Sequence, residues 1–386
     1  MPTTVLTFIQ TYLPGFKGGG PIRSISNMVE ALGDEFRFLI VTADRDDGDD
    51  EPYEIATGPE GWKKVGKAEV LYLPPSDRGL RDIWSIMKTV PHDVLYLNSF
   101  FSPDFTIKPL LARRLLGYGN KPCVVAPRGE FSPAALALKR WKKRPYIAAA
   151  RAIRLYGGVT WEASTEYDAA EIRSAIGLRA GDVRLAMNIP DPAGIVSEAD
   201  YLPRQAGDPL RICFVSRVTA KKNVDFAIEI LKSITIPVRF QIYGPIQDHQ
   251  LHQQCLQKIA ELPEQVDVTF MGSISHEEVP RVFAASDLFL FPTRGENYGH
   301  VIAESLAAGT PVLVSDRTPW RNLEHAGVGW DLPLEAGVLA FREKILEADV
   351  LSRATGREWR RLVRSYASDM AGYRGRVDAA RALLSF

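Results

Sequence analysis

FPTRGENYGHVIAESLAAGTPVLVSD, Phe291 to Asp316, runs from the end of an apolar segment through a glycine-bearing polar loop into a second apolar segment. Before it, Ala285 and Asp287 to Leu290 read as a short buried strand, apolar and closed by Pro292. A polar loop with Gly295 and Gly299 follows. The pattern then predicts a helix from about His300 to Ala308, stopped by Gly309 in a left-handed cap. Pro311 to Ser315 is the next β-branched strand. Strand, loop, helix and strand in this order is the parallel α/β unit. Glu296 stands at the mouth of the helix and Glu304 in its second turn. The free N–H groups of a helix start attract anions, and carboxylates accept from paired hydroxyls. The two together suit a ligand with phosphate and sugar hydroxyls. A bare Glu pair on a solvated helix face satisfies the same spacing, so the flanking chain has to separate the two readings.

A length of 386 residues suggests two domains of ordinary size. The formal net charge is zero, which argues against a dedicated nucleic-acid binder. Cys123, Cys213 and Cys255 include no close pair and read as buried thiols of a reducing compartment. The N-terminus lacks a basic region followed by a long apolar run, and no segment reaches a membrane span of roughly 18 apolar residues. The expected location is cytoplasmic, with room for peripheral contact on the inner membrane face.

The first half opens with a strand at Thr4 to Ile9, the loop Gln10 to Pro21 and a helix from about Ile22 to Leu32. Gly18, Gly19 and Gly20 suit a phosphate approach or a flexible loop; they are contiguous and so differ from the dinucleotide fingerprint. After the strand Phe36 to Thr42 comes the acidic run Asp44 to Glu51. Asp44 and Asp46 could hold a divalent metal. The run is acidic throughout and lacks an evident His or distant carboxylate partner, which favours a solvated loop. Strands are expected at Ala68 to Leu73, Asp93 to Leu97, Lys121 to Ala126 and Gly158 to Ser164. Between the last two, Leu136 to Tyr156 is helical and dense in cations, with Trp141 and Tyr146 among them. Lys139 to Arg154 suits an anionic surface such as lipid headgroups, or simply a solvated face.

Pro190, Pro192, Pro203 and Pro209 mark an inter-domain connection, and the α/β pattern restarts after them. Arg211 to Ser216, Val238 to Tyr243 and Val266 to Met271 read as strands. Helices are expected at Val224 to Ser233, Gln250 to Glu261 and His276 to Ser286, the last with Ser275 and Glu278 as a capping box. Arg217 follows the first of these strands and Lys222 precedes a helix start, a pairing suited to a diphosphate.

These residues carry a resemblance. SRVTAKKN (Ser216 to Asn223), Ser286-Asp287, Gly295 to Asp316 and PGFKGGGP (Pro14 to Pro21) resemble the retaining glycosyltransferases of family 4. The resemblance implies the GT-B fold, two facing Rossmann-like domains with parallel sheets. The implied division is an acceptor-binding domain at 1–190, a nucleotide-sugar domain at 191–365 and a C-terminal helix at 366–386 that crosses back. It implies diphosphate binding by Arg217 and Lys222, contact of Glu296 with the transferred sugar and of Glu304 with ribose hydroxyls. Backbone amides of Tyr298, Gly299 and His300 are implied to face sugar and phosphate, and Gly19 and Gly20 the diphosphate. Many members carry His-Gly or His-Asp after the strand at Val124 to Ala126; here Arg128, Gly129 and Glu130 stand there, with Arg128 or Glu130 as candidates to line the acceptor cleft. The common Gly positions before the Arg and after the Lys are Ser216 and Asn223.

The implied reaction is retaining transfer of a hexosyl or N-acetylhexosaminyl group from a UDP- or GDP-sugar to a glycan or lipid-linked acceptor, without a metal or other cofactor. The expected setting is O-antigen, capsule or exopolysaccharide synthesis. Three rivals stay open: a metal-dependent transferase using Asp44 and Asp46, a nucleotide-sugar epimerase of the same architecture, and a non-catalytic nucleotide-sugar binder. An NAD enzyme is disfavoured by the missing fingerprint.

Overall fold

A computed structural model describes residues 2–56, 61–116, 121–137, 140–177, 183–190, 201, 203–205, 207–371 and 373–386. The chain forms two compact units, Met1–Ile189 with Tyr373–Phe386, and Pro190–Gly372.

The first unit is built on an eight-stranded sheet. In chain order its strands are β1 (Thr3–Phe8), β2 (Phe36–Ala43), β3 (Lys63–Val65), β4 (Ala68–Leu73), β5 (Val94–Asn98), β6 (Cys123–Ala126), β7 (Thr160–Ala163) and β8 (Val183–Leu185). Their order across the sheet is β3-β4-β2-β1-β5-β6-β7-β8, and only the β3–β4 pair is antiparallel. Alternation along β1 sends Val5 to one face and Leu6 and Phe8 to the other, and both faces are covered. On the Val5 side lie Ile25, Met28 and Leu32 of helix α1 (Gly20–Leu32). On the Leu6 side lie Ile83 and Met87 of α2 (Leu80–Thr89) and Leu110 of α3 (Lys108–Leu115). The basic segment folds as α4 (Pro133–Ala137) and α5 (Arg140–Ala152), and α6 (Glu166–Ile176) follows β7.

The second unit has six parallel strands: β9 (Leu210–Val215), β10 (Val238–Tyr243), β11 (Val266–Gly272), β12 (Leu288–Phe291), β13 (Val312–Ser315) and β14 (Gly329–Leu332). Their order is β11-β10-β9-β12-β13-β14. The crossovers are α7 (Val224–Leu231), α8 (His249–Ile259), α9 (Val279–Ala285) and α10 (His300–Ala307). Ser275 and Glu278 are bonded, backbone and hydroxyl both donating to the carboxylate at 2.8 Å, but they close a turn ahead of α9 rather than its first turn. The long helix α11 (Gly337–Ala371) kinks at Thr355. Its Arg360 is buried and donates to the carbonyls of Ser286 (2.6 Å) and Ala284 (3.1 Å), tying it to the end of α9. The final helix α12 (Tyr373–Leu384) belongs to the first unit and starts at Tyr373 rather than Tyr366. Its Arg381 makes a two-pronged bond to Glu35, just beyond α1.

The three thiols are buried, and burial pushes Cys123 and Cys213 up to about 12 and Cys255 to about 11. Among the described residues no helix is long and apolar enough to cross a membrane.

Candidate functional site

The strand order of the second unit reverses between β9 and β12. The carboxyl ends of two such strands diverge into helices on opposite faces, which leaves a crevice where ligands bind in open α/β sheets. Here β9 runs out into Ser216 and Arg217, and β12 into Pro292 to Glu296. Gly244, at φ 135°, ends the neighbouring strand β10; a Cβ there would stand 2.1 Å from the Ser216 carbonyl oxygen. Only glycine lets β9 and β10 end so close together. The Arg217 guanidinium reaches the Gln247 side-chain oxygen at 3.5 Å.

The two loops are fastened to each other. Asn223 takes the left-handed conformation (φ 62°) ahead of α7, donates its side-chain amide to the Pro292 carbonyl (2.9 Å) and accepts from Arg294 Nε (3.0 Å). The Arg294 N–H donates to the Lys221 carbonyl at 2.8 Å. These bonds set Lys222 beside Glu296, and its ammonium donates to the Glu296 carboxylate. Each side chain of the pair is 12% exposed. The Thr293 hydroxyl lies 3.3 Å from the same carboxylate oxygen, the Glu296 N–H donates to the Arg317 carbonyl (2.9 Å), and the Lys222 ammonium stands 5.4 Å from the Phe291 ring centre.

Helix α10 begins at Gly299, φ 78°, and among the described residues no side chain caps its start. A Cβ at Gly299 would come within 2.9 Å of Ile302 Cδ1. Tyr298 is buried, its carbonyl accepting from the Trp320 indole at 2.7 Å, and the His300 ring stands edge-on to it at 4.8 Å. Glu304 lies half-buried on α10. The second unit thus holds Arg217, Lys222, Glu296, Tyr298, Gly299, His300 and Glu304 on the loops and helix that leave the carboxyl ends of β9 and β12. Thr293, Arg294 and Gln247 join them. No local sequence signal marks Arg294 and Gln247, because their partners Asn223 and Arg217 lie far along the chain, whereas Thr293 is three residues from Glu296.

Gly19 and Gly20 lie in the first unit, at the start of α1, with Gly19 at φ 68°. The acidic run is not a solvated loop at its start. Asp46 is buried, and its carboxylate accepts the N–H groups of Phe16 (2.8 Å) and Lys17 (3.0 Å) in the glycine loop. Asp44 is buried as well and is paired with Arg45 (2.9 Å) and Arg78 (3.3 Å). Both carboxylates are turned inward because β2 ends beside the loop that leaves β1.

Arg128 and Glu130, the candidates for the acceptor side, are both bonded within the first unit. The Arg128 side chain is 6% exposed. It donates to Glu162 (3.0 Å), Asn188 Oδ1 (3.1 Å), Asn98 Oδ1 (2.9 Å) and the Tyr96 hydroxyl (2.5 Å). Glu130 accepts from the Ser99 hydroxyl (2.7 Å) and the Phe100 and Phe101 N–H groups (2.5 and 3.3 Å); burial raises its pKa above the ordinary carboxylate range. In the basic segment Lys139 lies outside the described residues. Trp141 is 73% exposed, whereas Lys143 turns inward, over the Phe101 ring at 4.8 Å and onto the Ala135 carbonyl at 2.8 Å. The segment therefore has an inner and an outer side.

Residues 203–333 match the family model described as glycosyl transferases group 1. An uncharacterized 41.2 kDa protein in the cps region of Klebsiella pneumoniae is 24% identical over 245 residues, 60% of this chain and 63% of that one. The amylovoran biosynthesis glycosyltransferase AmsK of Erwinia amylovora is 32% identical over 132 residues, 32% of each chain. The chain thus spans less than two thirds of the length of these curated relatives. Among solved structures, Anabaena HepE in complex with UDP-glucose superposes with a TM-score of 0.70 over 99% of both chains at 16% identity. The architecture is the GT-B fold of two Rossmann-like α/β domains.

Proposed function

We propose that the chain is a retaining glycosyltransferase. It moves a hexosyl or N-acetylhexosaminyl group from a UDP- or GDP-sugar to a hydroxyl of a glycan or lipid-linked acceptor in cell-surface polysaccharide synthesis. The observation that carries this is the meeting of Lys222 and Glu296 at the switch point of the second sheet, with Arg217 at the same edge. A cation suited to phosphate and a carboxylate suited to hydroxyls stand side by side where α/β sheets bind ligands. The resemblance to Klebsiella and Erwinia proteins named for a cps region and amylovoran synthesis supports the surface-polysaccharide setting.

In this reading the bond from the sugar C1 to the β-phosphate oxygen breaks and its electron pair goes to that oxygen. Arg217, Lys222 and the N–H groups at the start of α10 stabilise the developing charge, so no metal or other cofactor is needed. The acceptor oxygen bonds to C1 from the face the phosphate leaves, and its proton passes to the departing phosphate. Glu296 holds the moving sugar and Glu304 the ribose. The outer side of residues 139–154, with Trp141 and its cations, meets the anionic inner membrane face.

The test is a thermal-shift screen of nucleotide sugars followed by transfer assays. A donor at 100 times its Kd raises stability by about 2.7 kcal/mol. Arg217→Ala and Lys222→Ala are expected to abolish transfer with the fold intact. Undiminished turnover in either, or no shift with any UDP- or GDP-sugar, refutes the reading.

A further inference from the structure

The cation assigned to the diphosphate already has a partner within the chain. Lys222 is bonded to Glu296, and both side chains are largely shielded from water. The surroundings favour the pair. The Phe291 ring backs the ammonium, the Thr293 hydroxyl lies by the carboxylate, and Asn223 and Arg294 lock the two loops together. A diphosphate oxygen that takes Lys222 must displace Glu296. The displaced carboxylate is then left shielded beside a second negative group, an unfavourable arrangement unless something donates to it.

From this we propose that the Lys222–Glu296 pair is a built-in competitor of the diphosphate, which opens for an intact nucleotide sugar and closes again to expel the nucleoside diphosphate after transfer. The inference rests on the donor reading above. An intact donor brings sugar hydroxyls that donate to Glu296 while its phosphate holds Lys222, so both partners of the broken pair are satisfied. A nucleoside diphosphate brings the phosphate but no sugar hydroxyls, so Glu296 loses its cation and gains no donor in exchange. The site therefore discriminates between donor and product through one ion pair. Transfer of the sugar removes the hydroxyls and restores the drive to re-pair. No proton or bond changes hands in this step; two anions exchange one cation.

The test is calorimetric titration of UDP and of GDP into the wild-type chain, Glu296→Gln and Glu304→Gln. Glu296→Gln removes the competing charge and keeps the shape. It is expected to bind the accepted nucleoside diphosphate about tenfold tighter, equivalent to about 1.4 kcal/mol, and to be inhibited more strongly by it in turnover. Glu304→Gln is expected to bind it more weakly. Glu296→Asp, one methylene shorter, is expected to fall between wild type and Glu296→Gln, and provides the measurement if the glutamine variant does not fold. Equal or weaker diphosphate binding in the Glu296 variants overturns the competitor role while leaving the donor site standing. A wild-type chain that binds neither UDP nor GDP overturns the donor reading, and this inference with it.

Discussion

Replacing Arg128 with Met separates a structural role from an acceptor-binding one. The guanidinium is the charge partner of Glu162, which is itself 2% exposed. The same guanidinium also donates to Asn98, Asn188 and the Tyr96 hydroxyl. Removing one partner of a buried pair costs about 3–5 kcal/mol, because the other charge stays buried. With a urea slope of roughly 2–3 kcal/mol per molar for a unit of this size, the first unit's unfolding midpoint falls by about 1–2 M. The pH dependence has a definite sign. Burial holds the Glu162 pKa above its ordinary value, and Arg128 opposes that shift. Without Arg128 the folded-state value climbs further. A raised carboxylate contributes stability that is full below the unfolded pKa near 4.3 and is lost as pH rises through the folded value. The deficit of R128M is thus largest at neutral pH and shrinks as pH falls toward about 4.5. The assay is urea unfolding followed by tryptophan fluorescence, to which the buried Trp161 of the first unit contributes, with the deficit compared at about pH 4.5 and about pH 7. An unchanged midpoint together with lost transfer refutes the structural role and returns Arg128 to the acceptor.

Other expectations follow from the same geometry. His92 is buried, and burial lowers its pKa from 6.5 to about 4; a depressed value gives stability that is present above pH 6.5 and lost on acidification, so His92→Gln flattens the acid side of the stability profile between those two values. Asp46→Ala frees the Phe16 and Lys17 N–H groups and is expected to raise protease sensitivity of the glycine loop, read by limited proteolysis. Gly244→Ala forces a Cβ against the Ser216 carbonyl at a backbone angle alanine avoids, and is expected to cost the second unit about 2 kcal/mol or more in urea unfolding. Reversing Arg140 and Arg144 to Glu is expected to abolish sedimentation with anionic vesicles and leave nucleotide binding unchanged.

Most of both sheets was legible because parallel strands buried on two faces read as unbroken apolar runs, as in Phe289 to Phe291 or Val124 to Ala126. Strand β14, Gly-Trp-Asp-Leu, was not, since Gly and Asp are poor strand formers and its pairing comes from β13 beside it. Helices α2 and α3 also escaped notice. The second carries Arg113 and Arg114, and the first has apolar positions broken by charge. Around the candidate site, Arg217 and Glu296 stood out as charged residues in loops after strands, Lys222 beside a helix start and Glu304 in a helix. What they bond to could not. The Lys222–Glu296 contact joins residues 74 apart in sequence, and Asp46 meets the glycine loop across 30. The Asp44 to Glu51 run looked solvated because local composition carries no information about which neighbouring loop the fold sets against it.

Asn223 stands where the family resemblance would have a glycine. A glycine there would adopt the left-handed conformation without strain, but it would leave the β9–α7 and β12–α10 loops joined by the Arg294 N–H on the Lys221 carbonyl and by the Lys222–Glu296 pair, without a side-chain lock from position 223. Asparagine accepts the same backbone angle at small cost and adds a tether at each end of its side chain, to Pro292 and from Arg294. The two loops are then held to each other through a side chain as well as through the backbone. Ordering either of them around a ligand orders both, so the entropy lost on binding is that of a single body. The substitution Asn223→Gly keeps every charged group of the site while removing both side-chain tethers, and weaker UDP or GDP binding by calorimetry is its expected outcome.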